Sequence, residues 1–358
     1  MRPFGRGFLP GPTDVHPDVW QAMLEPMYFT FSSRMQEVIH EVQPLLRQIF
    51  GTNAPVMIST SAATGLMEAS IRNGVRETVL VVVGGYFGEM YARVAEGCGK
   101  EVIRVNVPPG ATLEPEQLAL FLDGPEVDAV ALVHSESSTG ALAPLPDLVR
   151  VIRERTDALV LVDGVTSVGT MPIEAEGWDL DFIFTGSQKA LALPPGIAVA
   201  AASPRFMARA EKTPDRGWYL SATHLAGAAR KDLPLTTPAL PVYHTLLAQV
   251  RRIAATGGLE ARYARHDQMA ARMEEWAATR QDVQLMARAG RRSRAVSALT
   301  LPPERKAGEV VGELERRGWL IATGMAPLSD SVIRIGHMGD LTLEHLNALL
   351  VQLEEVLA

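Results

Sequence analysis

Between about residue 55 and residue 202, short apolar runs rich in β-branched residues alternate with stretches in which apolar residues recur every three or four positions. The runs at 79–83, 102–107, 129–134, 159–163, 182–185 and 197–201 predict strands. Several are apolar throughout, as expected of strands covered on both faces. Helical patterns lie between most of them, at 65–73, 88–96, 115–122 and 146–155. Such alternation predicts an α/β fold: a mostly parallel sheet with helices on both sides. After Pro241 the pattern changes. A helix at 242–255 is broken by Gly257-Gly258 and followed by a long helix at 259–279. A strand at 296–301, a helix at 307–317, a strand at 332–335 and a closing helix at 342–357 follow. This predicts a large domain with an N-terminal arm over 1–256 and a smaller α+β domain over 257–358.

Composition narrows the class. A chain of 358 residues ordinarily divides into two domains. With 47% hydrophobic and 21% charged residues it is neither disordered nor fibrous. No apolar run reaches the roughly eighteen residues a bilayer requires. The start, Met1-Arg2-Pro3-Phe4-Gly5-Arg6-Gly7, lacks a signal-like apolar stretch, so a cytoplasmic location is expected. The single cysteine, Cys98, can form neither an internal disulfide nor a Cys-rich metal site, and no metal is expected. A net charge of −7 argues against a nucleic-acid partner. The arginines Arg288, Arg291, Arg292 and Arg294 read as a solvated loop.

Lysine is scarce: Lys100, Lys189, Lys212, Lys231 and Lys306 stand against many arginines. Four sit in polar or turn-like surroundings. Lys189 instead follows the apolar run Phe182-Ile183-Phe184 and precedes Pro194-Pro195-Gly196. A lysine held in apolar surroundings has a depressed pKa, and its free amine can form a Schiff base. The ordinary alternative is a lysine paired with a carboxylate at a strand end. Asp163 ends the preceding strand, so both residues can emerge at one carboxyl edge of the sheet, where ligands of open α/β sheets bind. Pyridoxal phosphate needs a lysine for its aldehyde, an acid against its ring nitrogen and a place for its phosphate. Ser59-Thr60-Ser61-Ala62-Ala63-Thr64 precedes a helical pattern and offers that place, although helix capping explains its hydroxyls equally well. Gly84-Gly85-Tyr86-Phe87 and His134-Ser135-Glu136-Ser137-Ser138 follow two further strands and bring an aromatic face and hydroxyls to the same edge.

These segments resemble the class V aminotransferases, in particular the alanine–glyoxylate and serine–pyruvate group. The resemblance rests on Val162-Asp163-Gly164-Val165-Thr166-Ser167-Val168-Gly169, Gly177-Trp178-Asp179 and Gly186-Ser187-Gln188-Lys189-Ala190-Leu191. Ser135 to Gly140, Gly11-Pro12-Thr13 and Arg334-Ile335-Gly336-His337-Met338-Gly339 also match, in the right order along nearly the whole chain. It implies the fold type I architecture of pyridoxal-phosphate-dependent transferases and a homodimer with shared active sites. It further implies a transaminase moving an amino group from alanine or serine to glyoxylate or pyruvate. Lys189 would hold the cofactor as an internal aldimine and shuttle the substrate proton. Asp163 would pair with the ring nitrogen, Phe87 would stack on the ring, and Ser137 and Gln188 would bond its phenolic oxygen or nearby groups. The backbone of Ala62, Ala63 and Thr64 would hold the phosphate, helped by Thr236 from a partner subunit. Arg334 would clamp the substrate carboxylate.

The sequence departs from the family pattern where Ser61, Ala62 and Ala63 replace a glycine-rich phosphate loop. Thr30-Phe31 stands in place of a common His-Arg pair, and Pro234-Leu235-Thr236 in place of His-His-Thr. Three other readings share the fold. A cysteine desulfurase needs a nucleophilic cysteine beside the substrate, a role for which Cys98 is badly placed between a helix and a strand. A 2-aminoethylphosphonate transaminase would use Arg334 on a phosphonate. A catalytically silent interaction subunit would not be expected to keep Lys189, Asp163 and Arg334.

Overall fold

The computed structural model describes residues 3–358. Nine strands occupy its first part: β1 (Met57–Ser59), β2 (Thr78–Val83), β3 (Glu101–Asn106), β4 (Ala129–Val133), β5 (Ser135–Glu136), β6 (Ala141–Leu142), β7 (Leu159–Asp163), β8 (Phe182–Gly186) and β9 (Ala198–Ala202). Seven form one sheet in the order β1-β9-β8-β7-β4-β2-β3, and β5 with β6 forms a small separate ribbon. Neighbours from β8 through β3 are parallel. β9 alone runs against both of its neighbours. The α/β expectation is thus met, with one antiparallel strand inside it.

Alternate residues of each central strand enter different cores, which is why these strands read as continuous apolar runs. Leu80, Val130, Val160, Val162 and Ile183 pack on one face with Leu46, Leu148 and Leu246. Val79, Ala131, Leu161, Phe182 and Phe184 pack on the other with Leu66, Tyr91 and Phe206. No element was expected before residue 55, yet helix Ser33–Phe50 lies there. Its pattern is disguised by Pro44 and by the buried Gln43. The Gln43 amide bonds both the N–H and the carbonyl of Val56, at 2.9 and 2.8 Å, so a polar side chain occupies a core position at no cost in unpaired groups.

Four further strands, β10 (Gln284–Leu285), β11 (Val296–Thr300), β12 (Ala322–Thr323) and β13 (Val332–Gly336), form an antiparallel sheet in the order β10-β11-β13-β12. Helices Gly258–Ala278, Ala307–Arg316 and Leu343–Leu357 cover it through Met273, Trp276, Leu314, Leu346 and Leu353. Phe8 of the N-terminal arm belongs to this core. Its N–H donates to the Leu320 carbonyl and its carbonyl accepts from Gly336 N–H, both at 2.7 Å. Among the described residues no helix is long and apolar enough to cross a membrane.

Candidate active site

Parallel pairing sets the site. Val133 lies opposite Asp163, and Asp163 opposite Phe184, so β4, β7 and β8 end together. Past those ends lies a cavity of about 530 Å³. Seven of the residues singled out from sequence line it: Ala62, Ala63, Thr64, Phe87, Asp163, Gln188 and Lys189.

Lys189 is only 7% exposed. Its Nζ donates to the Pro10 carbonyl and stands 5.7 Å from the centre of the Phe87 ring. Burial pulls its pKa down to about 8, opposed by Asp163 and Glu136 and assisted by Arg334. No carboxylate lies within ion-pairing distance among the described residues, so the ordinary strand-end pair does not form. The main chain is held as well: Thr13 Oγ1 donates to the Lys189 carbonyl at 3.0 Å and Thr13 N–H to that of Gln188 at 3.0 Å. Gly11, at φ +116, is required here, because a Cβ would lie 2.7 Å from Lys189 Cδ.

Asp163 ends β7 with its carboxyl buried. Oδ1 accepts the Val165 N–H at 2.8 Å. Burial pushes its pKa up to about 7, with the Val165 bond and Lys189 acting the other way. A buried carboxyl with one oxygen left for a further partner favours a cationic N–H in the cavity.

Helix Ala63–Gly74 begins at the cavity, and no side chain caps its N-cap residue Ala62. Ser61 Oγ donates to Ser59 Oγ at 3.0 Å instead. The hydroxyls therefore do not serve as caps, and the free N–H groups of the first turn remain for an anion. The loss of glycine has left this open terminus intact.

Three expected residues lie outside the cavity lining. The Ser137 hydroxyl is buried without a hydrogen-bond partner among the described residues. Thr236 lines a separate small pocket with Ser59, Thr60 and Tyr219. Arg334, on β13, is half-buried; its Nε donates to the Thr323 carbonyl at 2.8 Å and its Nη1 to that of Ser137 at 3.2 Å. It makes no salt bridge among the described residues, and burial lowers its pKa. A cation held by neutral carbonyls keeps its attraction for an anion.

Sequence reasoning missed Glu136. Its Oε2 accepts the N–H groups of Phe87 and Gly88 at 3.0 and 3.1 Å, and its Oε1 the N–H and hydroxyl of Ser138 at 3.0 and 2.6 Å. The carboxylate thus caps helix Tyr86–Gly97 and fixes the main chain at Phe87. The one available signal was an acid at the end of a fully buried strand. Cys98 ends the same helix, 12 residues from the cavity-facing turn, which is about 18 Å of helix. Burial pushes its thiol up, and that distance keeps it from acting as a nucleophile at this site.

Residues 19–337 match the family model for aminotransferase class-V. The chain belongs to the class V aminotransferase family. An L-aspartate–glyoxylate aminotransferase of Paracoccus denitrificans is 30% identical over 349 residues, 94% of this chain and 86% of that protein. An aspartate aminotransferase of subgroup IV from Thermus thermophilus superposes with a TM-score of 0.90 at 31% identity, over 98% of each chain. An alanine–glyoxylate aminotransferase from Nostoc sp. gives 0.91 at 29% identity, over 100% of this chain and 96% of that one.

This class V aminotransferase has the fold of the pyridoxal-phosphate-dependent enzymes, as its motifs implied. The cofactor is pyridoxal 5′-phosphate, and the residues fit it. A neutral-prone amine, a buried carboxyl and an uncapped helix N-terminus at one cavity would suit the aldehyde, ring nitrogen and phosphate of that molecule.

Proposed function

We propose that this aminotransferase moves an amino group from a small α-amino acid, alanine or serine, to glyoxylate or pyruvate, with Lys189 holding the cofactor. The observation that carries the reading is one cavity of about 530 Å³ that presents the Lys189 amine and the Asp163 carboxyl together. That volume accommodates a phosphorylated ring together with a small amino acid. The bound cofactor supplies an electron sink that acidifies the substrate Cα proton. Lys189 Nζ then takes and returns that proton, and Asp163 keeps a proton at the ring nitrogen. Phe87 stacks on the ring, the first turn of helix Ala63–Gly74 receives the phosphate, and Ser137 and Gln188 bond the ring's phenolic oxygen or groups beside it. Arg334 binds the substrate carboxylate with a two-pronged contact.

A panel of amino donors tests the substrate class, scored by bleaching of the visible band of the holoenzyme. Alanine and serine should bleach it fastest. Aspartate as the preferred donor, or 2-aminoethylphosphonate, would overturn the choice of donor while leaving Lys189 in its role; no response to any donor would favour a silent subunit. Arg334→Lys should raise KM for amino acid and oxo acid by about tenfold or more, since a point charge cannot reproduce the fork. Cofactor absorbance should not change. KM values within about twofold of wild type would place the carboxylate clamp elsewhere.

Assembly is part of the proposal. Thr236 stands apart from the cavity of its own chain, as a residue donated to a second copy's phosphate site would. Trp20, Leu24, Met27, Phe29 and Phe31 are exposed along one short segment, an apolar surface suited to burial in a two-fold dimer. Sedimentation should give a dimer at assay concentrations; an active monomer would refute it.

A further inference from the structure

The turn after Lys189 is strained and is clamped from the C-terminal part of the chain. Ala192 N–H donates to the Lys189 carbonyl at 2.8 Å and Leu193 N–H to that of Ser187 at 3.0 Å, closing the turn with Ala192 at φ +52. An alanine persists in that region only where its surroundings hold it. Arg262, on helix Gly258–Ala278 and 3% exposed, supplies the hold. Its Nη2 donates to the Ala190 carbonyl and its Nη1 to Asp340 Oδ1, the latter at 2.7 Å.

Asp340 is itself buried and fixed. Gln249 Nε2 donates to its Oδ2 at 3.1 Å, and Arg252 and Arg265 stand within 3.4 and 3.8 Å. Neighbouring Gly339 is placed by His266, whose Nδ1 donates to the Arg262 carbonyl, so its Nε2 is free to accept the Gly339 N–H at 3.1 Å. A side chain at Gly339 would press on Ala192, with Cβ atoms 3.0 Å apart. Asp340 follows β13, the strand that carries Arg334.

We propose that Arg262, anchored by Asp340, is a positioning residue that fixes the Lys189 turn against the strand bearing Arg334. One guanidinium ties the Ala190 carbonyl of that turn to the Asp340 carboxylate of the segment after β13. The planar fork is essential, because one nitrogen reaches the carbonyl while another reaches the carboxylate. A lysine would keep the charge opposite Asp340 and lose the second reach. This inference rests on Lys189 being the reactive amine.

The test compares Arg262→Lys with wild type in two measurements. One is the rate at which the cofactor-free full chain captures pyridoxal phosphate, trapped by borohydride and mapped to a peptide. The other is the split between kcat and KM of the holoenzyme. Arg262→Lys should lower both the capture rate and kcat by about tenfold or more, as small misplacements of a reacting group do, while KM stays within about twofold. Asp340→Asn should act in the same direction more weakly, and decides the matter by the same measurements if Arg262→Lys does not fold. Unchanged capture and kcat, or a lowered Tm alone, would reduce Arg262 to a structural ion pair. Trapping at a residue other than Lys189 in the wild type would instead overturn the reading of Lys189, independently of either variant.

Discussion

Lys189→Ala abolishes turnover and removes the visible band of the lysine–cofactor linkage. The expectation follows from position and from protonation state together. Lys189 Nζ lies in a cavity beside Phe87, bonded to the Pro10 carbonyl, with Asp163 and Glu136 as acidic neighbours and Arg334 as the basic one. A pKa of about 8 puts a useful fraction of the amine in its neutral, nucleophilic form near neutrality, against almost none for an exposed lysine. The sign of the pH dependence follows. Below about 8 the neutral fraction grows about tenfold per pH unit, so cofactor capture by the wild type should rise with pH and level off above that value. Alanine leaves no amine at all, and the loss of rate should exceed about a thousandfold, the scale on which a missing catalytic group is felt. A variant that kept a borohydride-reducible linkage and normal turnover would end the assignment.

How much of this was legible beforehand follows from which physical signals sequence carries. The central strands were readable because both faces are buried: Val79, Leu80 and Val81 feed two different cores and leave an uninterrupted apolar run. Lys189 and Asp163 were readable as charges at the ends of such runs. The antiparallel turn of β9 was not, since Ala198–Ala202 has the same composition a parallel strand would have. Helix Ser33–Phe50 was hidden by Pro44 and by Gln43, whose role depends on a partner at Val56 outside the helix. Glu136 was hidden for a related reason. Two of its four bonds reach backbone N–H groups of a helix about fifty residues away, so its function exists only in the folded chain. The arginine loop read as solvated carries ordinary ion pairs, Arg291 with Glu114 and Arg292 with Glu274.

Asp163→Asn should keep the fold and slow proton abstraction from the substrate by at least about a hundredfold, the cost of losing one buried electrostatic partner of the reacting system. Asparagine has the shape of aspartate, and its Oδ1 can still accept the Val165 N–H that holds Asp163 at 2.8 Å. What it lacks is charge: a neutral amide cannot keep a proton at the ring nitrogen, and the electron demand on the substrate Cα falls accordingly. The pH behaviour separates this effect from damage to the fold. The Asp163 carboxyl is raised by burial from its ordinary range to about 7. Between those values the folded chain without cofactor binds the extra proton, so its stability falls as pH rises through that window, and above about 7 it bears the full cost of the buried charge. Asparagine removes that cost. Without cofactor, the variant should match or exceed the wild type in Tm above about pH 7 and lose that advantage in acid. Slow single-turnover kinetics together with an undiminished Tm would place the defect in the charge at Asp163. Unchanged single-turnover kinetics would show that the ring nitrogen takes its partner elsewhere.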